Sequence, residues 1–358
     1  MTPSDRTHDV EERLVSSARL TTRCLLCGPD KGEPVLLLHG NLSGAVVWEE
    51  TLVALGDIYR VAACDLRGYG GAERNALIDA TRGVADWVDD VMALADALEW
   101  NTFHVVGHSL SGVVLWGAIA RYGERLRTAT FVAPGPPCGF GGTRDVMGSL
   151  NFDDGAGSGA GLVHPTLVRL LAEGRREEVD PMFSPRAAMN RLFWKPPFRP
   201  VREEAILTAM LDVHLGGRQF PGDFRPSPHW PGFRPGEFGP INALAPLYNQ
   251  WVLAELLESQ GGPPLLWVGG TDDAIICDAS PSDVGTQGKL GYRADWPGED
   301  VFPPQPLHTQ VVFALDAYES RGGSVTRRLI PGAGHTPFLE RPTLFLRGLR
   351  QHLRQGET

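Results

Sequence analysis

Residues 103–112 read Phe-His-Val-Val-Gly-His-Ser-Leu-Ser-Gly, and this stretch decides the fold prediction. It begins as a mostly apolar run, typical of a strand buried on both faces, and continues into the apolar helical pattern of residues 109–122. Gly107 and Ser111 are small, so the chain can turn sharply from strand to helix at Ser109. Such a turn lifts the serine hydroxyl clear of the sheet and points the helix N-terminus at it. The sequence therefore predicts that Ser109 is a nucleophile.

Similar apolar runs alternate with helical patterns along most of the chain. The predicted strands are residues 35–38, 59–64, 102–106, 128–132, 265–268 and 325–330. Helices are predicted at residues 84–98, where apolar residues recur at the helical spacing, at 109–122 and at 338–353. Strands that are apolar on consecutive residues and alternate with helices indicate an α/β fold with a doubly wound, mostly parallel sheet.

Two stretches interrupt this alternation. Residues 137–259 contain helical segments and a Pro- and aromatic-rich passage at 220–240, and they predict a helical cap inserted between two core strands. The core then consists of residues 1–136 and 260–358, with a long loop insert at about 277–306. The insert carries five acidic residues without the spacing of a calcium loop, which we interpret as a solvated surface: Asp278, Asp283, Asp295, Glu299 and Asp300.

Three further motifs accompany the turn at Ser109. They are His-Gly-Asn at residues 39–41, Asp-Leu-Arg-Gly-Tyr-Gly at 65–70 and Gly-Ala-Gly-His-Thr-Pro at 332–337. In this order the four motifs resemble those of the α/β-hydrolase family, and the resemblance covers nearly all of the chain outside the two inserts. It implies the α/β-hydrolase fold and a serine, aspartate and histidine triad.

The predicted chemistry requires a general base, because a neutral serine hydroxyl is a poor nucleophile. His335 fits best among the histidines, since it lies in a Gly-rich loop after the last predicted strand. A carboxylate must hold its imidazole in the working tautomer. The family pattern Gly-x-x-Asp after the strand at 265–268 gives Asp273 or Asp272, depending on which of two adjacent glycines starts the count, and we prefer Asp273.

An acyl-transfer site also needs donors for the developing oxyanion. The backbone N–H of Leu110, directly after the nucleophile, is one candidate. The resemblance implies that the second donor is the backbone N–H of Asn41, with Leu42 as the alternative. Asp65 and Arg67 are interpreted as a turn stabilised by an Asp–Arg network rather than as catalytic residues.

The other histidines are weaker candidates. His39 and His104 are interpreted as structural, and the ring of His108 is expected to point away from the direction of the serine. Substrate contacts are considered for the histidines of the cap: His164, His214 and His229.

Composition limits the classes of partner. The net charge of −10 argues against nucleic acid, which requires basic patches. Five scattered cysteines do not form a disulfide framework, and the Cys24-x-x-Cys27 pair has no second pair nearby, so a structural role is preferred. Residues 1–20 lack the apolar run of a signal peptide, and no stretch approaches the roughly 18 apolar residues of a membrane span. A cytoplasmic location follows as an expectation.

The predicted function is hydrolysis of an ester or lactone bond in a bulky, apolar small molecule through an acyl-enzyme, without cofactor or metal. The same triad would serve a carbon–carbon bond hydrolase, an acyltransferase, a perhydrolase or a triad-bearing small-molecule receptor. Haloalkane dehalogenases and epoxide hydrolases also resemble the chain, but they attack through an aspartate where this chain has Ser109. The oligomeric state is left open, a homodimer included.

Overall fold

A computed structural model describes residues 10–356 of the protein. The interpretation of residues 1–20 therefore falls partly outside the described residues, as do the outer ends of the two predicted core segments. Within residues 10–356, every helix is too short or too polar to cross a bilayer.

The described residues form ten strands. In chain order they are β1 (Glu11–Ser16), β2 (Thr21–Cys27), β3 (Pro34–Leu38), β4 (Arg60–Cys64), β5 (Phe103–His108), β6 (Leu126–Val132), β7 (Phe224–Pro226), β8 (Phe233–Pro235), β9 (Leu265–Gly270) and β10 (Val325–Ile330). Eight of them form one sheet in the order β1-β2-β4-β3-β5-β6-β9-β10, and β7 pairs with β8 in a separate hairpin. The pairs from β4 to β10 are parallel, whereas β1 and β2 run antiparallel to their neighbours. The predicted mostly parallel sheet is confirmed.

Helices cover both faces of this sheet. They are α1 (Glu49–Leu55), α2 (Ala85–Ala97), α3 (Leu110–Tyr122), α4 (Pro165–Ala172), α5 (Pro185–Leu192), α6 (Glu203–Leu211), α7 (Pro240–Ala243), α8 (Pro246–Glu258), α9 (Val284–Lys289), α10 (Leu307–Ser320), α11 (Pro337–Glu340) and α12 (Pro342–Leu353). One layer contains α1 and α12, and the other contains α2, α3, α8 and α10. Leu36 and Leu37 of β3 are consecutive and both fully buried, as expected for a strand covered on two faces.

The helix predicted at residues 338–353 is divided in two. Arg341 leaves the helical conformation between α11 and α12, with φ −138° and ψ 55°. It precedes Pro342, and the proline ring disfavours the α conformation for the residue before it. The break ends α11 five residues after His335.

The stretch between β6 and β9 contains the helices α4 to α8, in agreement with the predicted helical segments. It also contains the hairpin β7–β8, which was not predicted. The division into core and cap at residues 137 and 259 stays a prediction. The second insert is not only a loop, because it contains α9. The two inserts contact each other: the Trp230 indole donates to the Ala294 carbonyl at 3.1 Å, and its ring packs edge-on against Phe302 with centroids 4.8 Å apart.

The interpretation of the acidic residues in the second insert was wrong for Asp283. Its side chain is fully buried, and one oxygen accepts from the backbone N–H of Thr286 at 2.7 Å and of Gln305 at 3.2 Å. Thr286 lies in α9, so Asp283 caps that helix. Its other oxygen has no hydrogen-bond partner among the described residues. The carboxylate therefore serves the interior of the insert and not its surface.

Candidate active site

Ser109 occupies the turn between β5 and α3 in a strained conformation, with φ 56° and ψ −111°. Hydrogen bonds hold it from both sides: its N–H donates to the Val132 carbonyl at 3.0 Å, and its carbonyl accepts from Gly112 at 2.8 Å and Gly135 at 2.9 Å. A non-glycine residue at positive φ persists only where its surroundings impose it. The partly buried serine is thus fixed at the end of β5, between neighbouring strands.

The turn requires small residues because the chain is crowded there. A Cβ on Gly107 would lie 2.7 Å from Leu115 Cδ1, and a Cβ on Gly112 would lie 2.3 Å from Pro134 Cβ. Both distances are below ordinary van der Waals contact. The Gly-x-Ser pattern and the second small position therefore have a steric cause in this structure.

The His-Gly-Asn turn lies directly against Ser109. A Cβ on Gly40 would lie 3.0 Å from Ser109 Cβ. Among the hydrogen bonds of residues 10–356, none has the backbone N–H of Asn41, Leu42 or Leu110 as its donor. Leu42 has a positive φ of 52°, which turns the chain sharply at this point. The structure leaves both Asn41 and Leu42 as neighbours of the serine turn.

Asn41 is also held through its side chain, by a residue that sequence reasoning did not single out. The Tyr69 hydroxyl donates to Asn41 Oδ1 at 2.8 Å, and Tyr69 is fully buried. Tyr69 lies in the Asp-Leu-Arg-Gly-Tyr-Gly motif, so the motif itself contained the signal. This bond links that motif to the turn that faces Ser109.

His335 and Asp273 form a buried pair. His335 Nδ1 lies 2.9 Å from Asp273 Oδ2 and 3.1 Å from Oδ1, and the two side chains are 2% and 7% exposed. Asp273 Oδ1 also accepts from the backbone N–H groups of Ile275 at 2.8 Å and Ile276 at 3.0 Å. Burial alone raises the pKa of Asp273, but attraction to His335 and these hydrogen bonds outweigh it and lower the pKa. Asp273 is therefore an ionised acceptor at neutral pH.

The neighbouring carboxylate has a different partner. Asp272 forms an ion pair with Lys195 of the first insert at 2.7 Å, and both side chains are well exposed. The hydrogen bond from Lys195 lowers the pKa of Asp272. The structure thus brings Asp273, and not Asp272, to the His335 ring.

The histidine loop reaches the serine turn through His108. His108 Nε2 lies 2.9 Å from the His335 carbonyl oxygen, and the two rings are 4.7 Å apart. Within residues 10–356, no hydrogen bond joins the Ser109 hydroxyl to the His335 ring. In enzymes without bound substrate this catalytic bond is often long and tightens on binding. Three loops that are distant in sequence nevertheless converge here.

Comparison with known proteins agrees with this architecture. The sequence pattern described as alpha/beta hydrolase fold matches residues 33–159. The structure of the esterase RhEst1 from Rhodococcus sp. ECU1013 superposes with a TM-score of 0.53, at 21% identity, over 96% of this chain and 98% of that one. The chain has the α/β-hydrolase fold. The resemblance seen in the four motifs is confirmed at the level of this fold superfamily.

Curated relatives match this chain over shorter stretches. The 2-hydroxymuconate semialdehyde hydrolase of Pseudomonas sp. CF600 is 32% identical over 99 residues, which cover 27% of this chain and 34% of that protein. The carboxylesterase YbfK of Bacillus subtilis 168 is 28% identical over 114 residues, or 32% and 38% of the two chains. The match thus spans little more than a third of each relative. Both are hydrolases, and they differ in the bond that their names imply.

The Asp65 and Arg67 side chains stabilise separate parts of the fold. Asp65 accepts from the Ala45 N–H at 2.7 Å and pairs with Arg23 at 2.8 Å. Arg67 pairs with Asp90 of α2 at 2.6 Å. The structural interpretation agrees with these contacts, but the two residues belong to different ion pairs rather than to one Asp–Arg staple.

Glu340 is a further residue that the sequence analysis did not single out. It is 5% exposed, and its carboxylate accepts from the backbone N–H groups of Gly334 and Lys195, each at 2.9 Å. Thr336 Oγ1 approaches the same carboxylate at 3.3 Å. A glutamate in the apolar segment after His335 was the available signal. Glu340 ties the histidine loop to the first insert.

The remaining histidines take structural contacts. His39 Nε2 accepts from the Leu66 N–H at 3.0 Å, and His104 bonds Thr128 Oγ1 at 2.8 Å. Between residues 137 and 259, His164 caps α4 and His214 bonds the Gly70 carbonyl, while His229 stacks on Phe152. Substrate contacts by these three stay a prediction.

The Cys-x-x-Cys pair lies within β2. Cys24 and Cys27 are both buried and neither is in a disulfide. Burial raises the pKa of Cys24 to about 12, so its thiol stays protonated at neutral pH. Both side chains pack in the hydrophobic core, in agreement with a structural role.

Proposed function

We propose that this α/β-hydrolase cleaves an ester or lactone bond of a bulky, apolar small molecule through an acyl-enzyme. Ser109 is the nucleophile, His335 the general base and Asp273 the acid that orients it. The observation that carries the proposal is the buried His335–Asp273 pair. The His335 carbonyl is hydrogen-bonded to His108, the residue directly before Ser109. Folding alone does not require these three residue types at three converging turns.

The reaction follows from the proton positions. Asp273 accepts from Nδ1 of His335, so Nε2 is left with a lone pair that can take the Ser109 proton. The serine oxygen adds to the substrate carbonyl, and His335 returns the proton to the departing alkoxide. Water then adds to the acyl-enzyme with His335 again as base, the bond to Ser109 breaks, and its hydroxyl recovers the proton. For a lactone, the alcohol and acid products remain one molecule.

Charge on the carbonyl oxygen needs donors that are in place before the reaction. The N–H of Leu110 and the N–H of Asn41 supply them in this proposal, with Leu42 as the alternative to Asn41. Both turns face Ser109, and none of these groups is engaged by another described residue. Loss of one such donor typically lowers kcat by about a hundredfold to a thousandfold.

The preference for a bulky, apolar substrate rests on the Pro- and aromatic-rich passage at residues 220–240 of the predicted cap. The preference for an ester rests on the carboxylesterase and the esterase among the similar proteins. The semialdehyde hydrolase among the relatives favours carbon–carbon bond hydrolysis as the second candidate. It would use the same triad on a different substrate.

A fluorophosphonate probe tests the nucleophile. We expect wild type to be labelled and Ser109→Ala not to be, because the probe reacts with an activated serine hydroxyl. Ser111→Ala is the matched control, since this serine lies two residues further in the same turn and bonds the His39 carbonyl instead. Labelling that survives Ser109→Ala would place the nucleophile elsewhere.

A substrate panel then separates the two reactions. Esters, lactones and a vinylogous diketone of similar size are compared by multiple-turnover kinetics. Turnover of esters or lactones supports the proposal, and turnover of the diketone alone would replace it with carbon–carbon hydrolysis. A single slow round on every substrate would point to a receptor.

A further inference from the structure

His108 lies between the two loops that surround the nucleophile. It ends β5 directly before Ser109, and its ring is 4% exposed. On one side, a Cβ on Gly40 would lie 2.8 Å from His108 Nδ1. On the other side is the His335 loop, and Trp48 and Phe338 close the contact edge-on with ring centroids at 6.4 and 5.2 Å. The imidazole therefore fills the space between the His-Gly-Asn turn and the histidine loop.

The hydrogen bonding of this ring defines its proton. A carbonyl oxygen only accepts, so Nε2 must donate to the His335 carbonyl. Nδ1 has no partner among residues 10–356. Burial and the nearby His335 hold the pKa of His108 well below its usual range. His108 is thus a neutral ring with its hydrogen on Nε2.

The hydrogen bond from His108 fixes the backbone of His335, to which Asp273 makes no hydrogen bond. Asp273 holds the imidazole through Nδ1, while His108 holds the backbone through the carbonyl. Because His108 and Ser109 share a peptide bond, the hydrogen bond from His108 to the His335 backbone also restrains the distance between nucleophile and base.

We propose that His108 is a positioning residue that sets His335 against Ser109 through the bond to the His335 carbonyl. This inference rests on the proposed function, since it concerns the same serine and histidine. It assigns to the residue before the nucleophile a task beyond filling space. The sequence expectation was that this ring points away from the serine, and the structure adds that it contacts the histidine loop.

Two variants of nearly equal polarity test this. In His108→Gln the amide nitrogen can reach the position of Nε2 and keep the bond. In His108→Asn the amide ends one carbon earlier, near the position of Nδ1, and loses it. Fluorophosphonate labelling of Ser109 reports the alignment without substrate binding, and kcat and KM on a p-nitrophenyl ester report turnover.

We expect His108→Asn to be labelled roughly tenfold to a hundredfold more slowly than wild type, because small misplacements of reacting groups have effects of this size. Its kcat should fall by a similar factor with KM nearly unchanged, and His108→Gln should recover most of both. Equal rates in the two variants, whether at the wild-type level or equally reduced, would overturn the inference. Melting curves show whether both variants fold.

Failure of the proposed function and failure of the role of His108 give different results. If Ser109 is not the nucleophile, wild type itself is unlabelled or Ser109→Ala remains labelled. If only the role of His108 is wrong, wild type and Ser109→Ala behave as proposed, and the Gln and Asn variants do not differ.

Discussion

At the scale of residues, the site depends on which of two adjacent carboxylates faces the imidazole. Asp273 is 7% exposed and bonds His335, whereas Asp272 is exposed and bonds Lys195. The sequence analysis preferred Asp273, although either residue satisfies the Gly-x-x-Asp spacing. The choice depends on the directions of the two side chains in the turn. The direction of Asp273 is fixed by the hydrogen bonds that it accepts from the backbone N–H groups of Ile275 and Ile276.

The corresponding prediction concerns the pair Asp273→Asn and Asp272→Asn. Asp273→Asn should lower kcat by roughly ten thousandfold, as in other triads where the amide imposes the wrong tautomer on the histidine. Asp272→Asn alters an exposed ion pair with Lys195 and a hydrogen bond from Thr271, and it should stay within a few-fold of wild type because neither contact involves His335. Ester hydrolysis by the two purified variants at pH 8 measures this. Similar losses from both would remove Asp273 from the triad.

At the scale of elements, α11 and the loop before it act as one unit. Glu340 ends α11 and accepts from Gly334 before the histidine and from Lys195 in the first insert. A buried carboxylate with several N–H donors is costly to alter, because an amide in its place would present N–H to N–H. The helix break at Arg341 is what places Glu340 over its own loop.

We therefore predict that Glu340→Gln loses stability as well as activity. The free energy of unfolding in urea should fall by about 1 to 3 kcal/mol, the cost of unsatisfied buried donors. Glu319→Gln serves as the control, since Glu319 is an exposed partner of Arg327 on α10. An unchanged unfolding midpoint for Glu340→Gln would show that the loop does not depend on this carboxylate.

At the scale of the whole molecule, the sheet was predictable and its attachments were not. Consecutive apolar residues predict buried strands such as β3. Strand β1 lies at the sheet edge with mostly exposed polar residues, so its sequence shows no such pattern. The burial of Asp283 was also hidden, because the Gln305 N–H that it accepts lies 22 positions further along the chain. Contacts between distant segments produce no local residue pattern from which they could be predicted.

Asp283 should make the stability of the molecule depend on pH. Burial raises the pKa of Asp283 to about 6, above its value of about 3.9 in the unfolded chain. The stability linked to this group is fully present below the unfolded pKa and is lost as pH rises through the folded pKa. The loss amounts to about 3 kcal/mol by linkage.

Asp283→Asn should remove this dependence. Relative to wild type, the variant should gain stability as pH rises from 4 to 8 in urea unfolding, and the exposed Asp300→Asn should not. A difference between Asp283→Asn and wild type that stays constant with pH would contradict the buried, protonated state.

The contact between Trp230 and the segment around Phe302 has a consequence for shortening this protein. The two insertions enter on opposite sides of β9 in the chain, yet each covers aromatic rings of the other. Excising one would leave the other with uncovered rings and a tendency to aggregate. A minimal version must therefore lack both insertions at once.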